Sequence, residues 1–253
     1  MTDLASPFDL TGLRALVTGA SRGLGAGCAM ALAKAGADVV LMARKAEPLE
    51  EIAAGVQSLG RAAHVVACDV TETSALKAAI SNAPPVHVLV NNAGINIPEP
   101  YTDVTEDHFD TIMNVNVRAA FFVAQVVAAR MLNEGIKGSI INMSSQMGHI
   151  GAANRTVYCT SKHAIEGLTK AMAVELGPNG IRVNAVAPTF IETPLTKPFL
   201  SDENFMDSVL NQIPLGHIGQ IDDVTGAVVY LASPAARMVT GSCLKVDGGW
   251  TAH

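Results

Sequence analysis

Clustered cysteines, surplus positive charge and long apolar runs are all missing from this sequence, and each absence excludes something. The four cysteines, at 28, 68, 159 and 243, form no C-x-x-C pair, and the seven histidines show no H-E-x-x-H or comparable spacing. No metal and no disulfide framework is therefore expected; buried free thiols in a reducing cytosol fit better. Acidic residues outnumber basic ones 23 to 17, for a net charge of −6. Nucleic acid and anionic membrane surfaces both select a basic excess, so neither is an expected partner. The most apolar run, AAFFVAQVVAA, is bracketed by Arg118 and Arg130 and falls short of the roughly 20 residues of a membrane span. The opening MTDLASPFDLTG has neither a basic n-region nor an apolar h-region, so no secretory signal and a cytoplasmic location are expected.

Apolar residues make up 49% of the 253 positions and charged ones 16%, which supplies a large core and argues against disorder. Short β-rich runs alternate with helical patterns: RALVT (14–18), DVVLMA (38–43), AHVVA (63–67), VHVLVN (86–91), SIINM (139–143), RVNAVA (182–187) and CLKV (243–246). Six lack polar alternation, as strands covered on both faces do. The expected fold is α/β, a doubly wound, mainly parallel seven-stranded sheet with right-handed crossovers. No linker, repeat or low-complexity tract divides residues 1–253, so a single domain is expected. The rhythm breaks only at 188–220, which holds four prolines and FLSDENFMDSVL; an insertion beside strand ends reads as a substrate lid.

RALVT runs into GASRGLGAG and then a helical AMALAKAG. Glycines 19, 23 and 25 sit at this strand-to-helix turn, where backbone N–H groups can approach a phosphate at the helix N-terminus. The spacing is T-G-x-x-x-G-x-G. With NNAG at 91–94, NVNV at 114–117, a serine ahead of Tyr158, Y-C-T-S-K and VDGG at 246–249, it resembles the short-chain dehydrogenase/reductase family along nearly the whole chain.

That resemblance implies a Rossmann-type oxidoreductase whose nicotinamide cofactor meets Gly19, Ser21, Arg22, Gly23, Leu24, Gly25, Asp69, Val70, Asn92, Ala93, Gly94, Pro188, Ile191 and Thr193, with Asp69 facing the adenine. The second strand ends LMARK, with Ala43 where an acidic residue would bind the 2′-hydroxyl of NAD. Arg44 follows it and Arg22 adds a second cation. A phosphate dianion between two guanidiniums makes charge-assisted hydrogen bonds, so NADP(H) is preferred and NAD(H) is second choice.

Tyr158 and Lys162, four apart, share one face of a helix. Reduction of a ketone develops alkoxide charge and needs a proton, and a cation one turn away is expected to lower the tyrosine's pKa. Tyr158 then acts as acid in reduction and base in oxidation. The resemblance gives Lys162 the nicotinamide ribose as well, gives Ser145 the substrate carbonyl, and gives Asn116 a water that relays protons to Lys162. Ser144 and Asn114 are the local competitors. Where the family often has Pro-Gly, this chain has Pro188-Thr189, a change expected to remove backbone freedom and add bulk beside the pocket.

Pocket walls are expected from Asn96, Gln146, Met147, Asn154, Phe190, Leu195 and 196–212. Amides mixed with Phe and Met suit a sugar, a polyol or a small ketone. Asp202, Glu203 and Asp207 make the lid acidic, which disfavours the acidic carrier protein of a 3-oxoacyl carrier-protein reductase, the alternative enzyme. An NADP-binding regulatory protein is the alternative outside enzymes. VRAAFFVAQVVAARML is apolar nearly all round as a helix, so it points to a subunit interface and a homo-oligomer, for which the resemblance suggests a tetramer.

Overall fold

Every apolar run expected as a strand forms one. They are β1 (Arg14–Thr18), β2 (Asp38–Ala43), β3 (Ala63–Ala67), β4 (Val88–Asn91), β5 (Ser139–Met143), β6 (Arg182–Pro188) and β7 (Cys243–Val246). The computed structural model describes residues 6–194 and 196–252. All pairings are parallel, in the order β3-β2-β1-β4-β5-β6-β7. β4 starts two residues later than its apolar run, because His87 pairs differently: its Nδ1 accepts the Arg14 N–H at 3.0 Å, capping the ladder.

The crossovers are α1 (Gly23–Lys34), α2 (Glu47–Ser58), α3 (Thr73–Asn82), α4 (Glu106–Met113), α5 (Ala120–Glu134) and α6 (Thr156–Leu176). Beyond β6 come the short α7 (Lys197–Leu200), α8 (Glu203–Leu210) and α9 (Ile221–Ala232). Helices cover both sheet faces, which is why the central strands carry no polar alternation. Ala15, Val17, Val39 and Leu41 pack with Leu32 of α1, Leu49 of α2 and Val228 of α9. Leu16, Val40, Leu89 and Ile140 point the other way, onto Leu76 of α3, Val127 of α5 and Ala173 of α6.

The helix expected over 117–132 is not uniform. Asn114–Ala119 is a π-turn joining α4 to α5. The resulting helical run, Glu106–Glu134, is long and apolar enough to cross a membrane by length and composition. Its inner face, with Ala119, Val123, Val127 and Met131, is instead core. Within 188–220, α7 and α8 lie between ends tied by a bridge from Ile191 to Gly219 and by the Glu192 N–H on the Gly219 carbonyl at 2.8 Å.

Candidate active site

The strand order reverses direction between β1 and β4, and open parallel sheets bind ligands outside the strand ends at such a point. Thr18 closes β1 there. Its Oγ1 accepts the N–H groups of Asn92 and Ala93, each at 3.0 Å, and its carbonyl accepts Asn92 Nδ2 at 2.9 Å. These bonds set the NNAG turn against the glycine loop. Gly19 has a φ of +65°, and a Cβ on Gly25 would stand 2.1 Å from the Gly19 carbonyl and 2.7 Å from Asn92 Nδ2. Any side chain at 25 would therefore fill the cradle. Thr193 approaches the same loop from β6, within 3.7 Å of a Cβ on Gly23. Ser21 and Leu24 lie half-buried in the loop and the first turn of α1.

The Ala20 N–H bonds the Met42 carbonyl at 3.2 Å, which stitches the loop to the end of β2. Arg22 and Arg44, each two residues beyond that bond, are both exposed, and neither forms a salt bridge among the described residues. The Asp69 carboxylate accepts the Thr71 N–H and hydroxyl at 3.0 and 2.8 Å, which lowers its pKa. It is thereby fixed at the end of β3, next to the buried Val70.

α6 carries the proton chemistry. Its buried face runs through Lys162, Ile165, Glu166, Thr169, Ala173 and Leu176, spaced three and four apart. Lys162 is 5% exposed, and its Nζ donates to the Met143 carbonyl at 2.8 Å and lies 5.5 Å from the Tyr158 ring centroid. A Cβ on Gly94 would be 3.8 Å from that Nζ and 3.3 Å from Asn116 Oδ1, so the NNAG turn, the π-turn and α6 meet here.

Electrostatics correct one expectation. Burial pushes the Tyr158 phenol up to about 12, against a smaller pull downward from the Ser145 hydroxyl within hydrogen-bonding reach. Burial also brings Lys162 down to about 8, with Glu166 one turn on acting the other way. The lysine does not make Tyr158 acidic in the free protein, because Lys162 bears its own desolvation cost. The phenol is held protonated, the form that donates.

Ser145 rather than Ser144 faces Tyr158. Its hydroxyl donates to Gln146 Oε1 at 2.7 Å and accepts the Met147 N–H at 3.2 Å. Gln146 and Met147 are both buried, so Gln146 reaches the site through Ser145 rather than as open wall. Asn116 is buried beside this group. Its Oδ1 accepts the Ile95 N–H and its Nδ2 donates to the Ile95 carbonyl, each at 2.8 Å, and Nδ2 reaches Ser161 Oγ at 3.1 Å. The amide thus braces the turn after β4 against α6.

Three buried polar atoms lack a protein partner at successive strand ends: Asn96 Oδ1 after β4, Ser144 Oγ after β5 and Thr189 Oγ1 after β6. Buried polar groups are ordinarily paired. Unpaired polar atoms beyond successive strand ends, the ends at which the glycine cradle opens, fit a polar ligand such as a dinucleotide. Thr189 adds its bulk without backbone strain, since Asn154 is the one non-glycine residue with positive φ among those described. Pro188 pairs in register with Val246, and Ile191 is buried at its bridge.

Of the expected pocket wall, Asn154 is exposed, and its carbonyl accepts the Glu99 N–H at 3.1 Å. Leu195 lies outside the described residues. Phe190 stacks on Trp250 at 5.8 Å and meets Phe205 of α8 edge-on at 5.6 Å. Trp250 went unnoticed in the sequence. The VDGG turn places it: the buried Asp247 accepts from the Gly249 N–H, the Thr251 N–H and the Thr251 hydroxyl. Arg155, at the N-cap of α6, was also missed; its charge lowers the Tyr158 pKa slightly.

A family model described as enoyl-(acyl carrier protein) reductase matches residues 19–251. L-xylulose reductase of Mus musculus is 42% identical over 243 residues, covering 96% of this chain and 98% of that protein. Gluconate 5-dehydrogenase of Gluconobacter oxydans (strain 621H) is 40% identical, covering 96% of each. The crystal structure of a gluconate 5-dehydrogenase from Burkholderia cenocepacia J2315, in complex with NADP and tartrate, superposes with a TM-score of 0.94 at 37% identity and covers 98% of both chains. With the ordered motifs gathered at one crevice, the chain belongs to the short-chain dehydrogenase/reductase family.

Proposed function

We propose that this protein is an NADP(H)-dependent oxidoreductase that interconverts a ketone and a secondary alcohol on a small polyhydroxy compound, a sugar, polyol or sugar acid. The observation that carries it is the convergence of Ser145, Tyr158 and a buried Lys162 at the end of the sheet where the glycine cradle opens. Gly19, Gly23 and Gly25 would admit the pyrophosphate, Thr193 would close over it, and Arg22 and Arg44 would take the 2′-phosphate. When bound, the nicotinamide supplies or accepts the hydride.

The chain's own residues handle the proton. Ser145 turns its hydroxyl from Gln146 to the substrate oxygen, and Tyr158 gives its proton to that oxygen as alkoxide charge develops. In the reverse direction the phenolate takes the proton. The Lys162 ammonium compensates that negative charge. Relatives named for L-xylulose and gluconate, and the tartrate bound in one of them, support a polyhydroxy substrate. The orphaned Asn96 and Thr189 side chains supply hydrogen bonds for hydroxyls, and the Phe190–Trp250–Phe205 cluster covers the carbon skeleton. A carrier-protein thioester is disfavoured, since Asp202, Glu203 and Asp207 are all exposed on the lid.

A homotetramer and a cytoplasmic location belong to the same reading. Phe121 and Leu132 of α5 are 44% and 41% exposed, and Val174 of α6 is 80% exposed, an apolar surface that a second copy would cover. The free cysteines suit a reducing compartment. The decisive experiment follows NADPH absorbance with a pentulose, a tetrulose, a keto-gluconate and an acetoacetyl thioester, and repeats it with NADH. Turnover of the polyhydroxy ketones with NADPH is expected; preference for the thioester would overturn the substrate class. Tyr158→Phe is expected to lose about 10²–10⁴-fold in kcat with NADPH binding retained, and unchanged turnover would remove Tyr158 from the reaction.

A further inference from the structure

One turn along α6 from Lys162, three side chains with metal-binding chemistry converge. His149 follows the short 3-10 turn after β5, Glu166 lies one turn beyond Lys162 on α6, and Cys243 opens β7. His149 Nε2 stands 3.3 Å from Cys243 Sγ and 3.4 Å from Glu166 Oε1. All three ligand atoms lie within 4.8 Å of one another. A tetrahedral zinc ion, with bonds of about 2.0–2.3 Å, sets neighbouring ligand atoms about 3.4–3.6 Å apart. The two spacings from His149, 3.3 and 3.4 Å, are already close to those of ligands around one ion.

A second observation is independent of the spacing. Glu166 is 7% exposed, and its Oε1 is a buried oxygen with no hydrogen-bond partner. The possible protein donors to it are the His149 N–H at 3.4 Å and the weakly donating Cys243 thiol, long or weak hydrogen bonds for a buried carboxylate. A cation among the three would satisfy every ligand at once. Imidazole with thiolate selects a borderline-soft ion over magnesium or calcium.

We propose that His149, Glu166 and Cys243 form a three-ligand site for a divalent transition ion of the zinc class, with a fourth position open to water or a small ligand. Binding replaces the thiol proton, which leaves to solvent, by a sulfur–metal bond. The ion ties the loop that carries Ser145, the helix that carries Tyr158 and Lys162, and the edge strand β7 to one centre. Ligands 17 and 77 positions apart in sequence make no recognisable spacing, which is why the sequence alone pointed to no metal.

The test uses the full chain, freed of metal with a chelator and titrated with Co²⁺ as the optical stand-in for zinc. One equivalent is expected to develop thiolate-to-cobalt charge transfer with tetrahedral ligand-field bands, and Zn²⁺ to displace it and raise Tm. Cys243→Ser is expected to abolish the thiolate band, with the other three cysteines in place. Because even partners of ligands are worth about 10–100-fold in affinity, His149→Asn and Glu166→Gln should each weaken binding at least about tenfold. No thiolate band with the wild type at micromolar Co²⁺, or a band that survives Cys243→Ser, would overturn the site. So would a wild-type Tm indifferent to Zn²⁺, which identifies a hydrogen-bonded trio only. If Cys243→Ser fails to fold, the two affinity variants decide, and undiminished binding in both refutes the proposal.

Discussion

Tyr158 keeps its proton to about pH 12 in the free protein, whereas Lys162 gives up its own from about pH 8. Reduction consumes a phenol proton and draws on the lysine's positive charge, so its kcat/KM should be level through neutrality and fall above about pH 8 as Lys162 deprotonates. Oxidation starts from the phenolate held by that ammonium, so it should rise with pH to about 8 and level off above it. Profiles in both directions check the sign, and Lys162→Met should remove the alkaline limb of the reduction profile. Cofactor choice is equally a matter of single residues. Arg44→Ala deletes a charge-assisted hydrogen bond of about 1.5–3 kcal/mol, so kcat/KM with NADPH should drop tenfold or more while NADH is unaffected. A drop shared by both cofactors would return Arg44 to a solvated surface residue. At this scale the sequence was legible where chemistry is local: Tyr158 and Lys162 are one turn apart, and Arg44 follows its strand directly. It misjudged the direction of the Tyr158 shift, because burial depends on residues that no local window contains.

The π-turn at Asn114–Ala119 shows what an element does for the site. One extra residue in a helical turn swings Asn116 inward, where its amide clasps both polar groups of the Ile95 backbone. Such π-bulges are frequent at functional positions. Asn116→Ala leaves a buried donor and acceptor unpaired, at about 1–3 kcal/mol each, and should lower Tm by several degrees in calorimetry. Asn116→Asp, which sets a buried carboxylate oxygen against the Ile95 carbonyl, should lower it at least as far. The glycine loop was readable because a strand, three glycines and a helix follow one another directly. The π-turn was not, since NVNVRA carries the same helical periodicity as its neighbours and only the reach to Ile95 distinguishes it. Asn91 behaves similarly. Its Nδ2 bonds the Ala120 carbonyl and Asn142 Oδ1, and Asn142 Nδ2 in turn bonds Thr169, a polar ladder joining β4, β5 and α6. Partners 29 to 51 residues away leave no trace in a motif.

Across the whole molecule, the alternation of apolar runs and helical patterns was sufficient for the sheet, because each buried parallel strand needs a covering crossover. It could not place Phe205, Trp250 or the His149–Glu166–Cys243 trio, whose members come from elements that only the folded sheet brings together. The proposed assembly is tested at this scale too. The apolar outer faces of α5 and α6 should be covered in solution, and a charge placed there would have to be desolvated on association. Phe121→Glu combined with Leu132→Glu is expected to shift the protein to a smaller species in size-exclusion chromatography with light scattering, with far-UV dichroism unchanged. A wild-type protein that already elutes as a monomer would remove the interface.

The chain has one tryptophan, and it is Trp250, stacked on Phe190 at the roof of the crevice. All indole fluorescence therefore originates at a single point, on a ring stacked against Phe190, which also meets Phe205 of the segment between β6 and α9. Ligand entry that parts the stack changes the emission of this one emitter, undiluted by any other. The protein thus carries a built-in optical gauge, able to separate arrival of the cofactor from settling of the segment over a second ligand, in real time and without a label.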